Sequence, residues 1–200
     1  NFYTILGVVC ITAATILFIT PALPYLWYRI NGNAVENELT NITTPIEASP
    51  TQDSSDEVSE VDLPPIDPSL PNINTIIIPS IGVNSEIYEG ENAKEALEKG
   101  PWRVDDFGTP EDPFPIIIAA HRFGYIHWSN EFRRLSSFYN LPKTNVGDTI
   151  EIIWNQRKYE YKIYDAKDGN SIETYEADLI LYTCRLFNSP VRVFRYAERT

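Results

Sequence analysis

Two residues that can act as a nucleophile or as an acid and base each follow an apolar run of the chain. His121 comes after the run from Ile116 to Ala120, and Cys184 comes after the run from Leu179 to Thr183. Short apolar runs predict buried strands, and side chains at strand ends are well placed to line a cleft. A free thiol, with a pKa of about 8.5, is mostly unreactive at neutral pH and needs a neighbouring imidazole. The two residues are therefore a candidate nucleophile and base if their strands are neighbours.

Two arginines follow Cys184 and bear on whether it is catalytic. The run from Val191 to Tyr196 predicts a strand joined to the Cys184 strand by a short turn, which can bring Arg192 or Arg195 beside the sulfur. The two are an odd number of positions apart, so a regular strand points them to opposite faces and only one can serve the site. A guanidinium there can donate to a developing oxyanion or hold a substrate. The alternative is structural, with a buried cysteine, a core histidine and solvated arginines.

The elements that must position these residues lie between residues 72 and 200. This stretch carries 15 basic and 19 acidic residues and is long enough to hold a core. Seven short segments rich in β-branched and aromatic residues predict strands: Thr75 to Ile78, Glu86 to Tyr88, Ile116 to Ala120, Thr149 to Trp154, Tyr159 to Tyr164, Leu179 to Thr183 and Val191 to Tyr196. Two stretches predict short helices, Asn92 to Lys99 and Ser129 to Phe138, with Asn92 and Ser129 as N-caps. We expect a mainly β domain built on a closed sheet of seven or eight strands.

The first 30 residues predict a transmembrane anchor. Residues 1 to 28 contain no charged side chain, and their length suits the about 20 apolar residues that a helix needs to cross a bilayer. Tyr25, Trp27 and Tyr28, followed by Arg29, mark the exit at the headgroup level. A cleaved signal peptide is the alternative, but its apolar core would be shorter and would end in a small-residue cleavage site.

Residues 31 to 71 predict an acidic, disordered linker. They contain nine acidic residues and no Lys or Arg, a composition that cannot bury a core. No basic residue occurs between Arg29 and Lys94, so the flank after the anchor lacks the positive charge of cytoplasmic loops. We therefore expect a single-pass protein of the cell membrane whose globular domain, residues 72 to 200, lies outside the cytoplasm.

Composition excludes several other classes of protein. The chain has 16 Lys and Arg against 28 Asp and Glu, a net charge of -12, so it lacks the basic footprint of nucleic-acid binding. Its two cysteines, Cys10 and Cys184, lie in segments of very different character, which argues against a disulfide between them. The sequence has no glycine-rich phosphate loop and no Cys and His spacing that suits zinc.

Several motifs follow one another along the globular part in an order that resembles a known family. They are Ala119-Ala120-His121-Arg122, then Leu181-Tyr182-Thr183-Cys184 preceded by Ile180, then Arg192 eight residues after the cysteine. Earlier segments fit the same series: Ile78 to Val83, Ile87 to Gly90, Ala93 to Gly100, Phe138 to Leu141 and Val146 to Asp148. Over residues 74 to 198 this set resembles the sortase family of cysteine transpeptidases. Ile180 stands where the first threonine of the family's threonine-leucine-x-threonine-cysteine signature would be.

The resemblance implies a fold, a reaction and a set of site residues. The fold would be a closed eight-stranded sortase-like β-barrel with one or two short helices. Such enzymes cut a Leu-Pro-x-Thr-Gly-like sorting signal through a thioester and join the new carboxyl end to an amine. Cys184 would then be the nucleophile, His121 the acid and base, and Arg192 the group that stabilises the oxyanion or holds the peptide. Ala120, Leu181 and Thr183 of the matching motifs are expected to bind substrate.

The resemblance also implies partners. They are secreted proteins with a C-terminal sorting signal and an amine acceptor, either a peptidoglycan precursor or a pilin lysine. We expect no required cofactor. The segment between the sixth and seventh strands, about Ala166 to Asp178, is short compared with many family members, in which it walls the peptide groove.

Two other classes remain open. An L,D-transpeptidase also uses an extracytoplasmic cysteine and histidine, but its pattern has Ser-x-Gly before the cysteine, where this chain has Tyr182 and Thr183. The second class is a membrane-tethered binding module that keeps a sortase fold without turnover.

Acidic loops raise the question of calcium. Asp105, Asp106, Glu111 and Asp112 precede the His121 strand, while Glu173 and Glu176 precede the Cys184 strand. Calcium binds six to eight oxygen ligands, which flexible loops of this kind can supply. A solvated acidic face explains the same residues, and it is the interpretation that we favour.

Overall fold

The computed structural model describes residues 5–12, 14–15, 63–125, 127–187 and 189–200. Residues 5–12 and 14–15 are helical. Across these described ranges, no helix is both long enough and apolar enough to cross a membrane. The predicted anchor over residues 1 to 30 and most of the predicted linker over residues 31 to 71 fall outside the described residues, so both stay predictions.

An eight-stranded sheet forms the body of the domain, which confirms the prediction of a mainly β fold. The strands are β1 (Thr75–Ile78), β2 (Val83–Glu86), β3 (Trp102–Arg103), β4 (Ile116–Ala119), β5 (Thr149–Trp154), β6 (Arg157–Gly169), β7 (Leu179–Cys184) and β8 (Arg192–Arg199). Their order across the sheet is β2-β1-β5-β6-β8-β7-β4-β3. Only β4 and β7 pair in parallel, and the other neighbours are antiparallel.

The end strands of the sheet, β2 and β3, meet at one bridge. Just after β2, the Tyr88 amide donates to the carbonyl of Pro101 (2.8 Å), and the Arg103 amide donates to the carbonyl of Tyr88 (2.9 Å). Strand β3 has only two residues. Among the described residues, the pairing at this point is therefore limited to the single bridge. Because the two ends of the sheet meet, the sheet is strongly curled. We expected a closed barrel, and in the described residues the two ends are joined only by this bridge.

Three strands differ from the sequence prediction. The predicted strand Glu86 to Tyr88 lies earlier, as β2, and β3 was not predicted because two residues give no pattern. Strand β6 continues to Gly169, well past the predicted end at Tyr164. A register shift between Ile163 and Asp165 lets this polar extension continue to pair with β8. The extension lacks an apolar alternation, so the sequence did not predict it.

The two helices form where their capping residues predict them. Helix α1 spans Ala93–Lys99, and the Asn92 side chain accepts a hydrogen bond from the Glu95 amide (3.4 Å). Helix α2 spans Asn130–Ser136, and Ser129 Oγ accepts from the Phe132 amide (3.0 Å). Such caps satisfy amides that otherwise have no partner in the first turn. Both N-cap predictions are confirmed, and short 3-10 turns occur at Pro79–Ile81 and Leu141–Lys143.

Apolar side chains are buried on both faces of the sheet. On one face, which we call the first cluster, lie Ile118 and Leu181; on the other face, the second cluster, lie Ile117 and Tyr182 together with residues of α1. Strands covered on both sides need no polar alternation. This is why the runs that end at His121 and Cys184 are continuously apolar.

Residues 63–71 pack on the hairpin turn between β5 and β6. In that turn Asn155 and Gln156 are both left-handed (φ 51° and 56°), as two-residue hairpins of this kind require. The Asp67 amide donates to the carbonyl of Gln156 (2.8 Å), and Arg157 Nη1 donates to the carbonyl of Pro64. Residues before 72 therefore contact the globular part, and the boundary at residue 72 stays a prediction.

Candidate active site

His121, Cys184 and Arg192 come from three neighbouring strands. In the parallel ladder of β4 and β7, Ala119 pairs with Tyr182, and continuing this register by two residues puts His121 opposite Cys184. Contact persists past the end of β4, because Thr183 Oγ1 donates to the carbonyl of Ala120 (2.7 Å). In the antiparallel ladder of β7 and β8, Cys184 pairs directly with Arg192. We call these three residues the His–Cys–Arg row.

Strand alternation puts the whole row on one face of the sheet. Cys184 belongs to the second cluster, as do Ala119 two residues before His121 and Phe194 two residues after Arg192. Side chains two positions apart in a strand share a face, and neighbouring strands lie about 4.8 Å apart. The imidazole, the thiol and the guanidinium therefore start from adjacent points on the same surface.

The two arginines of β8 go to opposite faces. Arg192 is 1% exposed, and its Nη1 donates to the carbonyls of Ser189 and Val191 (3.4 Å to Val191), which holds the guanidinium at the turn between β7 and β8. Arg195 pairs with Leu181 of the first cluster, and its Nε donates to Thr144 Oγ1 (2.6 Å). Burial lowers the pKa of Arg195. Arg195 thus stabilises the fold at a distance from the row.

His121 lies in an aromatic setting. Tyr125 packs against the imidazole edge to face (ring centroids 5.4 Å apart, 87° between planes), and Trp128 lies at 6.1 Å. The residue is 2% exposed, and burial lowers its pKa to about 3. The imidazole is therefore neutral at physiological pH, and its burial disfavours the protonated form.

A second guanidinium, which the sequence analysis did not single out, lies close to the row. Arg122 Nη1 donates to the carbonyl of Arg185, one residue after Cys184. Burial and the charge of Arg185 lower the pKa of Arg122, while Cys184 acts on it in the opposite direction, which places Arg122 within electrostatic range of the sulfur. Arg122 follows the predicted catalytic histidine directly, and loops that follow strand ends often line clefts. This position was the sequence signal that could have pointed to Arg122.

Aromatic side chains flank the row on the side of the loop between β6 and β7. Burial raises the pKa of Tyr182, with Arg192, Cys184 and Tyr175 as its charged or titratable neighbours. Tyr175, on that loop, stacks on Phe107 (5.6 Å, 7° between planes). A peptide bound at Cys184 would have this aromatic wall on one side.

The three residues expected to bind substrate are fully buried. Ala120, Leu181 and Thr183 are each 0% exposed. Leu181 and Ala120 belong to the first cluster, on the opposite face from Cys184, and the Thr183 hydroxyl is used by the carbonyl of Ala120. Alternate residues of β7 face away from Cys184, and the Thr183–Ala120 bond holds β4 against β7. Substrate binding by these three residues stays a prediction.

The loop after His121 is held by a glycine and an arginine. Gly124 has a positive φ (68°), and a Cβ there would lie 2.0 Å from the Trp128 ring, so a side chain cannot fit beside it. Arg133 of α2 donates through Nε to the carbonyl of Phe123 (3.1 Å) and through Nη2 to that of Tyr125 (2.6 Å). A glycine between two aromatic residues was a usable sequence signal for a tight turn, whereas nothing in the sequence marks Arg133.

The second histidine, His127, stands apart from the row. It is exposed, and Tyr125 stacks between it and the site, with the two rings 5.5 Å apart. Cys10 and Cys184 are both free thiols, Cys10 exposed and Cys184 buried. The only cysteine with an imidazole and a guanidinium beside it in the described residues is therefore Cys184.

Several carboxylates of the acidic loops considered for calcium bind partners within the protein. Asp112 accepts from the amide and hydroxyl of Thr109 (2.8 and 2.7 Å), and Glu111 pairs with Arg157 (3.5 Å). Glu173 pairs with Lys167 (2.9 Å). Over the part of the chain that the structure describes, no three His, Cys, Asp or Glu residues form a group that could hold a metal ion. Calcium modulation stays a prediction to which no site is assigned.

The row has the groups that acyl transfer through a cysteine requires, and comparison with known proteins identifies the class. A family model described as the sortase domain matches residues 76–200, so the chain belongs to the sortase family of cysteine transpeptidases. A comparison with curated protein sequences gave no match.

Solved structures of sortases share the fold. Sortase A from Corynebacterium diphtheriae aligns with a TM-score of 0.54 at 21% identity, over 65% of this chain and 61% of that one. Sortase C1 from Streptococcus agalactiae, in a complex with MTSET, aligns with 0.53 at 25% identity, over 64% and 68%. The Clostridium perfringens sortase D5 transpeptidase aligns with 0.50 at 24% identity, over 64% and 79%. The chain thus spans 61% of the C. diphtheriae structure, less than two thirds of its length.

Proposed function

We propose that this protein is a membrane-anchored cysteine transpeptidase that cleaves a Leu-Pro-x-Thr-Gly-like sorting signal and transfers the protein to an amine. The observation that carries the proposal is the His–Cys–Arg row, three residues brought by register to one face of β4, β7 and β8. Membership of the sortase family supports the same reaction. The roles of the individual residues are part of the proposal.

The first half of the reaction forms a thioester. The sulfur of Cys184 attacks the threonine carbonyl, and the thiol proton passes to the neutral imidazole of His121. When the tetrahedral intermediate collapses, the C–N bond breaks and His121 returns the proton to the leaving amine. The protein is then held by a C–S bond, and the imidazole is neutral again.

The second half runs the same steps in reverse with another amine. The amine nitrogen attacks the thioester carbonyl and loses a proton to His121, the C–S bond breaks, and the Cys184 sulfur takes the proton back. The thioester conserves the energy of the original amide bond until the new amide bond forms, so no cofactor is required.

Arg192 would stabilise the negative oxygen of both tetrahedral intermediates. Its guanidinium is buried and held by two backbone carbonyls, so it needs little reorganisation when charge develops. Arg122 adds positive charge within electrostatic range of the sulfur. The aromatic pair Phe107 and Tyr175 is the wall against which we place the sorting peptide.

The partners and location follow from the same proposal. Secreted proteins with a C-terminal sorting signal would reach the enzyme at the outer surface of the cell membrane, where the anchor over residues 1 to 30 would hold it. The acceptor would be the amine of a peptidoglycan precursor or of a pilin lysine. An L,D-transpeptidase lacks the support of the family match, and a binding module without turnover leaves the row without a use.

Product analysis tests this proposal. The full chain is incubated with a library of sorting peptides and amines, and products are identified by mass. We expect cleavage between Thr and Gly and an amide to the added amine. Cys184→Ala should lose both products, and Cys10→Ala, which removes the other free thiol, should keep them. Turnover by Cys184→Ala at the wild-type rate would refute the enzyme interpretation.

A further inference from the structure

A basic cleft opens beside the His–Cys–Arg row, and none of the steps above uses it. Its volume is about 1010 Å³, and among the described residues that line it are three cations, Arg133, Arg134 and Lys143, but no carboxylate. The globular part around it is acidic, with 15 basic against 19 acidic residues. The cleft therefore reverses the local charge.

Two of these cations have no acidic partner among the residues that the structure describes. Arg133 is occupied by the carbonyls of Phe123 and Tyr125, whereas Arg134 and Lys143 are exposed and pair with no carboxylate of the described chain. Elsewhere, cations do find such partners, as the pairs Arg103–Glu89, Arg157–Glu111, Lys158–Glu160, Lys167–Glu173 and Arg185–Asp168 show. Arg134 and Lys143 are thus available to an anion from outside.

The cleft reaches the row through the two loops that follow its residues. Phe123 lies two residues after His121 and Phe187 three residues after Cys184, and their rings meet at 5.4 Å at the end of the cleft. Ser189, also in the lining, gives its carbonyl to Arg192. The cleft therefore borders the turn that holds the Arg192 guanidinium.

The cleft also offers apolar surface. Leu186 is 63% exposed and Tyr139 is 46% exposed, and both line it. Phe107 and Tyr175 are not among the described residues that line the cleft, so the wall against which we place the acyl peptide and the cleft are separate surfaces. One substrate is left for the cleft, namely the acceptor.

We infer that this cleft binds the amine acceptor and selects acceptors that carry an acidic group, a carboxylate or a phosphate, near the amine. The inference rests on the proposed function and names the class of its second substrate. Arg134 and Lys143 bind the acidic group, and the amine points to the thioester carbonyl. There the amine nitrogen forms the new C–N bond and gives its proton to His121, while the C–S bond to Cys184 breaks and the sulfur regains a proton.

Kinetics with matched acceptors test the inference on the full chain. The probes are diglycine amide, which is neutral at its carboxyl end, diglycine, which carries a carboxylate, and 2-aminoethyl phosphate. We expect the wild type to show a KM about fivefold lower for an anionic amine than for diglycine amide, the size that exposed charge pairs allow. The anion with the lower KM tells whether carboxylate or phosphate is preferred. High salt should remove the preference, since about 1 M salt shortens the screening length to about 3 Å.

The double variant Arg134→Gln/Lys143→Gln should lose the preference while peptide hydrolysis without acceptor and the KM for diglycine amide stay unchanged. Lys99→Gln/Lys162→Gln is the matched control, because it removes two exposed charges outside the cleft and should keep the preference. The inference is overturned if the wild type shows no preference, if the double variant keeps it, or if the control loses it equally.

A binding measurement separates this inference from the proposed function. Diglycine and 2-aminoethyl phosphate are titrated into Cys184→Ala protein and followed by NMR. Saturable shifts that vanish in the same chain with Arg134→Gln/Lys143→Gln support the cleft even if no peptide yields an acyl-enzyme, a result that would refute the proposed function alone. Absence of saturable shifts for both anions overturns the cleft.

Discussion

At the scale of single residues, the charge state of His121 is the feature with the clearest physical consequence. Burial lowers its pKa to about 3 in the native protein, whereas an unfolded chain gives an ordinary value of about 6.5. Between these two values the unfolded chain binds a proton that the native state does not. The free energy of unfolding should therefore fall as the pH is lowered through this window, by up to about 1.4 kcal/mol per pH unit.

Replacing His121 tests that linkage. In His121→Gln the contribution of this group to the pH slope is gone, so its free energy of unfolding should depend less on pH between about 6.5 and 4 than that of the wild type. Urea unfolding at several pH values measures the slope. His127→Gln, at the exposed histidine, is the control and should keep the wild-type slope. An unchanged slope in His121→Gln would contradict the buried, neutral imidazole.

The two arginines of β8 should separate activity from stability. Arg192→Gln removes the donor beside Cys184 and should lower kcat by about 10²- to 10³-fold, the effect of losing one oxyanion donor. Arg195→Gln should mainly lower the free energy of unfolding, by about 1–3 kcal/mol, because it breaks the buried bond to Thr144. Peptide kinetics and urea unfolding of both variants give the comparison. A larger loss of kcat in Arg195→Gln than in Arg192→Gln would contradict this assignment of roles to the two arginines.

Residue chemistry was more predictable than residue environment. Parity along β8 and the short turn after Cys184 were enough to pair Arg192 or Arg195 with the sulfur, and the structure puts Arg192 there. Parity along β7 also implies that Leu181 and Thr183 face away from Cys184, yet family motifs led us to expect substrate contact. A family motif indicates that a residue is needed for fold or function. It does not indicate which face of the sheet the side chain occupies. The lowered pKa of His121 depends on Tyr125 and Trp128 folding back over it, which sequence does not show.

At the scale of elements, the turn after β4 positions His121 through packing. Gly124→Ala places a Cβ both in a left-handed backbone and against Trp128, so the loop must move. We expect a loss of about 2 kcal/mol or more in the free energy of unfolding together with reduced kcat. Urea unfolding and peptide kinetics measure the two effects.

Gly147→Ala is the matched control for that variant. It shares the positive φ (97°), but nothing lies within 4 Å of its new Cβ, so it should show the backbone cost alone, about 1 kcal/mol. Equal effects of the two substitutions would show that contact with Trp128 contributes nothing to the loop.

Elements with strong local signals were predictable, and those set by their neighbours were not. Side-chain caps located α1 and α2, and continuous apolar runs located β4 and β7. The two-residue strand β3 and the polar end of β6 exist because a neighbouring strand offers hydrogen bonds. Their own residues carry no pattern that distinguishes them from loops.

At the scale of the whole molecule, the contacts of residues 63–71 bear on where the domain begins. Residues 63–71 contact the β5–β6 turn through Pro64, Asp67 and Leu70. A chain of residues 72–200 loses these contacts and should melt several degrees below a chain of residues 63–200, because 1 kcal/mol shifts Tm by about 4 °C in a domain of this size. Thermal unfolding of the two chains measures the difference in Tm. Equal melting temperatures would place the boundary at residue 72, as composition alone suggested.

The central claim is that Cys184 carries the acyl group, and the most direct test is the mass of the intact protein during turnover. With a Leu-Pro-x-Thr-Gly-like peptide and no amine, we predict an adduct equal to the peptide up to its threonine. Hydroxylamine should remove it, as for a thioester, and fragmentation should locate it on Cys184. Cys184→Ala should form no adduct, and Cys10→Ala should form it as the wild type does. An adduct on another residue, or peptide cleavage by the wild type without any covalent species on rapid quenching, would contradict the account.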